Sequence, residues 1–200
     1  MSVPREADAI MTAAAFLRWR ITQSSDRRCE LFDGAIIEMA AERAIHARTK
    51  AAVFRHLERL IAEGKLPCEA FPDGMAVRVN DANVFEPDAM VRCGPPLGDQ
   101  VVLVEDPVIV VEVASPSTQR ADALIKFARY FRNAHIRHYL VVLPAERIVL
   151  HHVRRPDGRI ETASYEGGTI ALDEPPLMLS VPELFSAIVS GEAPEGASAQ

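Results

Sequence analysis

Two carboxylates, Asp88 and Glu112, stand out as candidates for chemistry because of their neighbours. Glu112 lies inside the apolar run Val110-Val111-Glu112-Val113-Ala114. An unpaired charge fully buried there would cost several kcal/mol, so Glu112 needs a partner or a metal. Asp88 follows Pro87 at the head of the preceding strand-like piece. Taken alone, Pro-Asp reads as a turn, since both are ordinary turn residues. Neighbouring strands lie about 4.8 Å apart, so if these two pieces pair, their carboxylates can share one ion. Hard divalent cations such as Mg²⁺ take oxygen ligands, often one or two carboxylates, and keep positions for water and a substrate phosphate. The chemistry such a pair could support is metal-assisted phosphodiester hydrolysis.

That chemistry also asks for a cation to position the attacking water or to offset charge growing on the phosphate. The residue two beyond Glu112 shares its strand face, and it is Ala114. Lysine occurs only at Lys50, Lys65 and Lys126. From Ser115 back to Glu112 is about 10 Å of strand, and Ser117 to Lys126 is about 13 Å of helix running back over the sheet. Lys126 and Glu112 can therefore lie at similar height. A helical projection, however, groups Lys126 with Asp122, Arg129, Tyr130 and Asn133, opposite Leu124, Ala128 and Phe131. On that projection Lys126 and Asp122 make an i,i+4 surface pair, and both readings stay open at this point. His46 falls in the apolar stripe of its segment, near the direction of Val53 and Leu57. A lone histidine there is usually a core residue, with proton relay or metal ligand as the alternative. Glu30, in the first hairpin, has similar standing. His151 and His152 are adjacent in a strand and point to opposite faces, so they cannot grip one metal and are read as structural.

These side chains must be positioned by a recognisable series of elements. Thr12 can cap a short helix through Arg20, and Arg28 to Phe32 leads through Asp33-Gly34 into Ala35 to Met39, a hairpin signal. Ile45, Val53, Leu57, Leu60 and Ile61 give helical spacing over Glu42 to Glu63, with Gly64 placed to end the helix. Strands are expected at Cys68 to Phe71, Met75 to Val79, Asp88 to Arg92 and Val108 to Ala114, the last buried on both faces. Pro116 stops that strand, and Ser117 or Thr118 can cap a helix to about Asn133. Tyr139 to Leu143 then makes the helix the crossover of a βαβ unit. Strands at Arg147 to Val153 and Thr162 to Tyr165, and a helical turn at Val181 to Phe185, complete the domain.

With 48% hydrophobic and 25% charged residues, the 200-residue chain fits one globular domain, residues 1–190, followed by a disordered tail at 191–200. No apolar run reaches the roughly 18 to 20 residues of a membrane span, and the opening lacks the pattern of a signal peptide, so a cytoplasmic location is expected. Cys29, Cys68 and Cys93 lack the spacing of a zinc site or disulfide framework and are read as reduced packing residues. A net charge of −6 argues against nonspecific coating of nucleic acid, so any such contact is local. Basic residues do gather as Arg43, Arg48, Lys50, Arg55 and Arg59, and as Arg120, Lys126, Arg129, Arg132 and Arg137. Most such runs are solvated helix faces.

Over nearly its whole length the chain resembles the Uma-type endonucleases of the PD-(D/E)XK superfamily. The likeness runs through Glu30-Leu31-Phe32-Asp33-Gly34, Met39, His46, Pro87-Asp88, Pro107, Glu112-Val113-Ala114-Ser115-Pro116-Ser117-Thr118, Asp122, Lys126 and Tyr130, with Glu112 to Tyr130 the specific part. What the resemblance implies is a restriction-endonuclease-like α/β fold: a mixed β-sheet flanked by helices, with an N-terminal helix and hairpin. It implies that Asp88 and Glu112 are catalytic metal-binding acids for Mg²⁺ or Mn²⁺, and that the Val113 carbonyl is a further ligand. It makes Lys126 the superfamily lysine moved onto the helix, which answers Ala114. Glu30, His46, Asp122 and Tyr130 match positions lining that site. The chain departs from the family at Leu143-Pro144, where Asp before Pro is common. The implied activity is a metal-dependent DNA endonuclease, with homodimerisation expected by analogy. The alternative is a noncatalytic binding or scaffold domain on the same fold, since a fold alone does not prove chemistry. The acidic net charge favours the alternative, and joint retention of Asp88, Glu112 and Lys126 favours the enzyme. No nucleophile motif surrounds Cys29, Cys68, Cys93 or Ser115, which leaves a cysteine or serine hydrolase little support.

Overall fold

The computed structural model describes residues 10–23, 28–39, 41–114 and 121–188, with only the backbone described at 121–124. The first helix, α1 (Ala13–Thr22), starts at Thr12, whose Oγ1 accepts from the Ala15 N–H at 3.2 Å. Strands β1 (Cys29–Phe32) and β2 (Ala35–Glu38) form the expected hairpin. Its two turn residues, Asp33 and Gly34, both have positive φ, 45° and 82°, the backbone that an Asp-Gly turn of this hand requires. Helix α2 (Ala44–Glu63) buries Val53, Leu57 and Ile61, as their spacing predicts. Gly64 ends it but keeps a right-handed conformation, and the left-handed residue is Lys65, with φ 48°.

After α2 come β3 (Cys68–Pro72), β4 (Ala76–Asn80), β5 (Asn83–Phe85), β6 (Ala89–Cys93), β7 (Leu103–Val104) and β8 (Pro107–Val113). Helix α3 (Ala121–Tyr130) leads to β9 (His138–Leu143), β10 (Ile148–Arg154), β11 (Ile160–Tyr165), β12 (Thr169–Asp173), β13 (Pro176–Ser180) and α4 (Val181–Leu184). The expected stop at Pro116 and the caps at Ser117 and Thr118 fall outside the described residues, as does the tail at 191–200. Strands β5, β7, β12 and β13 carry no expectation from sequence. They are two to five residues long, too short for a periodic signal.

Three sheets form: β2-β1-β5-β4-β7, β11-β10-β9-β8-β6-β3, and the hairpin β12-β13. In the six-stranded sheet β8 and β9 are parallel while the other pairings are antiparallel, so α3 is the crossover of a βαβ unit. Alternation along β8 sends Ile109, Val111 and Val113 to one face, against α2, α4 and the β12-β13 hairpin. Val110 and Ala114 go to the other face, among Tyr130 of α3 and Val77 and Phe85 of the five-stranded sheet. Helix α1 covers the outer side of that second sheet through Ala13 and Phe16. No helix among the described residues is long and apolar enough to cross a membrane.

The cysteine reading needs correction. Antiparallel pairing of β3 with β6 sets Cys68 directly opposite Cys93, with Cα atoms 3.9 Å apart, and the two form a disulfide. Their 25-residue separation in sequence conceals that register. Cys29 is buried beneath α1.

Candidate active site

The β6-β8 register pairs Ala89 with Val111 and Met90 with Val110, so its continuation sets Asp88 opposite Glu112. By alternation Glu112 points to the α3 face, while Asp88, one residue before β6, meets His46 and Lys50 of α2 at the end of the sheet. The strand adjacency that the sequence could only suppose is thus present. Asp88 is fixed at one oxygen by the chain itself, because Val113 N–H donates to Oδ2 at 2.6 Å. That bond joins the two strands at the point where their regular ladder ends.

Lys126 crosses from α3 to the same place. Its Nζ donates to Glu112 Oε1 at 3.1 Å and to Glu30 Oε1 at 2.9 Å, and sits 5.4 Å from the centre of the Phe85 ring. The solvent-facing projection is therefore corrected. Tyr130 and Asn133, which share that helix face, are buried, while Ala128 on the supposed core face is exposed. What lies beneath the helix, Glu112 together with the apolar cluster around Tyr130, decides which face turns inward, and a helix read alone does not contain that information. The supposed partner Asp122 has no described side chain. Tyr130 O–H donates to Glu112 Oε1 at 2.7 Å, so among the described residues both contacts to this acid fall on one oxygen. Glu30 Oε1 also accepts from Glu86 N–H at 2.9 Å, which anchors β1 to the site.

His46 reaches the same edge from α2. Its Nε2 lies against the Val113 carbonyl oxygen and 3.5 Å from Asp88 Oδ2, while Nδ1 is 3.2 Å from Glu42 Oε2. The structure thus brings Glu30, His46, Asp88, Glu112, Lys126 and Tyr130 together at this edge. Sequence reasoning missed others. Lys50, read as part of a solvated run, is buried, and its Nζ contacts Glu42 Oε1 at 2.6 Å, Asp73 Oδ2 at 2.6 Å and Asp88 Oδ1 at 3.0 Å. The signal that could have found it is the repeat Glu42, His46, Lys50, one residue per helical turn on one face. Arg28 adds contacts to Glu86, Glu42 and Asp73, and Arg20 pairs with Glu86. The second basic run is no single patch either, since Lys126 turns inward, Arg129 pairs with Asp33 and Arg137 with Asp173.

Electrostatics mark the cluster as acid-rich. Six carboxylates, Glu30, Glu42, Asp73, Glu86, Asp88 and Glu112, are linked to four cations, Arg20, Arg28, Lys50 and Lys126, an excess of two negative charges when all are ionised. One divalent cation would balance it. Burial pushes the Glu112 carboxyl up to about 7; Lys126 pulls it down, Asp88 and Glu30 push it up, and the Tyr130 hydrogen bond lowers it. Burial disfavours the Lys50 ammonium, but Asp88, Asp73 and Glu42 outweigh it and push that group up to about 12. Lys126 is likewise shifted upward, with Glu112 and Glu30 outweighing burial, so it keeps its proton. Burial and the charges of Glu112 and Glu30 hold the Tyr130 phenol well above its usual range.

Asp88 and Glu112, opposite one another in the register of adjacent strands, with the Val113 carbonyl near Asp88, are donors of the kind a hard or borderline divalent cation takes. Residues 13–186 match the model of the family Uma2, described as "Putative restriction endonuclease". An uncharacterized protein of Synechocystis sp. is 30% identical over 132 residues, which span 64% of this chain and 65% of that relative. A crystal structure described as "a putative nuclease belonging to DUF820" from Anabaena variabilis superimposes with a TM-score of 0.69 at 16% identity, covering 88% of this chain and 98% of the other. That likeness establishes the restriction-endonuclease-like fold.

Proposed function

The chain belongs to the Uma2 family, and from that premise we propose that it is a divalent-metal-dependent endonuclease hydrolysing phosphodiester bonds in DNA. The observation that carries this reading is the meeting of Asp88 and Glu112 across β6 and β8 with the Lys126 ammonium set on Glu112. Asp88, Glu112 and the Val113 carbonyl would hold Mg²⁺ or Mn²⁺. Such an ion supplies Lewis-acid stabilisation of the scissile phosphate and a water of lowered pKa.

The protein's own groups have separable tasks. Val113 N–H holds Asp88 in place, and Tyr130 holds Glu112 Oε1. Lys126 keeps its proton, so its role is to donate and to offset charge growing on the phosphate rather than to abstract a proton. Glu30 keeps the ammonium at this spot. One site per chain suits a homodimer, in which two copies address two strands.

The test is cleavage of supercoiled plasmid by the purified chain with Mg²⁺, with Mn²⁺ and with EDTA. Nicking or linearisation should require the metal and disappear in Glu112→Gln, which keeps shape and removes charge. Cleavage that survives both EDTA and Glu112→Gln would reject the reading.

A further inference from the structure

His46 and Lys50, one turn apart on α2, face Asp88, and Glu42, just before the helix, contacts both of them. Lys50 takes one oxygen of each acid, Glu42 Oε1 and Asp88 Oδ1. The other oxygens face the imidazole between them: Glu42 Oε2 lies 3.2 Å from Nδ1, and Asp88 Oδ2 lies 3.5 Å from Nε2. The Val113 carbonyl oxygen also lies against Nε2. Among the described residues these three neighbours are all acceptors, yet a neutral imidazole has a single N–H to give. With that proton on Nδ1, toward Glu42, the Nε2 lone pair meets Asp88 Oδ2 and the Val113 oxygen at one point. The ring's aligned hydrogen-bond contact is Nε2 with the Val113 oxygen, and Nδ1 is buried without an aligned partner; moving the proton to Nδ1, toward Glu42, frees the Nε2 lone pair for a cation. Glu42, His46 and Asp88 each offer a ligand atom, all within 4.8 Å of one another.

We propose that His46 Nε2 is a direct nitrogen ligand of the divalent cation, beside Asp88 and the Val113 carbonyl, with Glu42 orienting the ring from behind, and that this makes the site prefer Mn²⁺ to Mg²⁺. The inference rests on the reading that Asp88 and Glu112 hold a metal. Metal-bound histidines commonly give their second N–H to a carboxylate, which fixes the tautomer and raises ligand basicity. Mg²⁺ favours an all-oxygen shell, whereas imidazole nitrogen suits transition metals. A single nitrogen among oxygens therefore shifts selectivity without excluding either ion.

The test uses the full chain and the metal alone, with no nucleic acid. Pulsed electron paramagnetic resonance of bound Mn²⁺ in the unmodified protein should show ¹⁴N coupling, and this measurement needs no variant to fold. Calorimetric titration should show His46→Ala weakening Mn²⁺ by at least about tenfold, with Mg²⁺ much less changed, and Glu42→Gln weakening Mn²⁺ by about tenfold while the ¹⁴N coupling persists. His46→Gln, checked by circular dichroism, repeats the measurement if the alanine variant is unstable. Mn²⁺ bound without ¹⁴N coupling, lost in Asp88→Asn but retained in both His46 variants, would overturn the His46 assignment and leave the metal site standing. Absence of Mn²⁺ binding to the unmodified protein would overturn both.

Discussion

The six-stranded sheet buries a polar cluster on each face, and the two handle charge in opposite ways. On the α3 side and the adjoining end of the sheet, Glu112 and Asp88 stay among lysines of α3 and α2, with more carboxylates than cations. On the other side, His138 Nδ1 and His151 Nε2 share a proton at 2.9 Å, and His138 Nε2 lies 2.9 Å from Asp173 Oδ1, which Arg137 also contacts. Burial pushes both rings down to about 4, although Asp173 works the other way on His138, so at neutral pH this second cluster carries no imidazolium. One face gives up charge to become buried, and the other keeps charge together at a cost in stability. Lysines held charged among carboxylates, one of which is pushed up to about 7, can act on a ligand, while a neutral pair of rings serves packing.

The largest expected effect is on turnover. Lys126→Met keeps the apolar stem over Phe85 but removes the ammonium, and metal-dependent cleavage should fall by about a hundredfold or more. Lys126→Arg should rescue little, because a planar guanidinium does not reproduce a compact ammonium between Glu30 and Glu112. By contrast, His138→Ala should leave cleavage unchanged while costing about 1–3 kcal/mol of stability, since it strips a buried ring of its partner. Plasmid nicking rates and urea melts of the two variants check the contrast. Equal loss of turnover in both would erase the distinction between the faces.

Stability against pH should expose the same difference through opposite signs. His138, His151 and His152 all titrate near 4 in the folded chain, against 6.5 ordinarily, so between those values the unfolded chain binds more protons and stability rises with pH. Glu112 does the reverse. Its folded value near 7 exceeds the ordinary 4.5, so the folded chain binds more protons in that window and stability falls with rising pH. Burial lowers His56 as well, so four groups against one give a net rise between pH 4.5 and 6.5, with a ceiling of about 4 kcal/mol per pH unit. Glu112→Gln removes the opposing group and should steepen that rise by at most about 1.4 kcal/mol per pH unit. Denaturant melts across the window, without metal, measure both slopes. A Glu112→Gln slope shallower than that of the unmodified protein would contradict the assignment.

The same contrast explains what could be read in advance. Glu112 was legible because an acid in an apolar run violates the local pattern, and Asp88 became legible once its strand lay beside it. The βαβ unit followed from one unbroken strand, a helix and a second strand. Lys126 was not decidable by periodicity, since the helix face that looks polar is the one turned to the carboxylates. The family resemblance, and not the projection, pointed to it. Lys50 hid in a run of basic residues that resembled solvated surface, and its burial depends on Asp73 and Asp88, contributed by distant segments. The histidine chain and the Cys68–Cys93 pair were missed for a related reason. Each is created by strand register, which a sequence states only after the partners of every strand are known.

The smallest expected effect is at Asp173, the exposed end of the histidine chain. Its carboxyl is drawn down to about 2, chiefly by the Arg137 hydrogen bonds, against burial, and further by the charges of His138 and Arg137. A carboxylate with a depressed folded value adds stability above its ordinary value of 3.8, and this is lost as pH falls through about 2. Yet its side chain is 46% exposed, so solvent screens the pair, and Asp173→Asn should cost no more than about 1 kcal/mol at neutral pH. The informative readout is His138. Asp173 is the group that favours a proton on that ring, so its removal should lower the His138 titration midpoint further while leaving His152 unmoved, because burial alone sets the latter. Histidine ring resonances followed by NMR from pH 7 downward measure both midpoints. A His138 midpoint that rises in Asp173→Asn would mean the carboxylate does not govern this ring. A fall accompanied by unchanged DNA cleavage would separate the two faces of the sheet as the structure divides them.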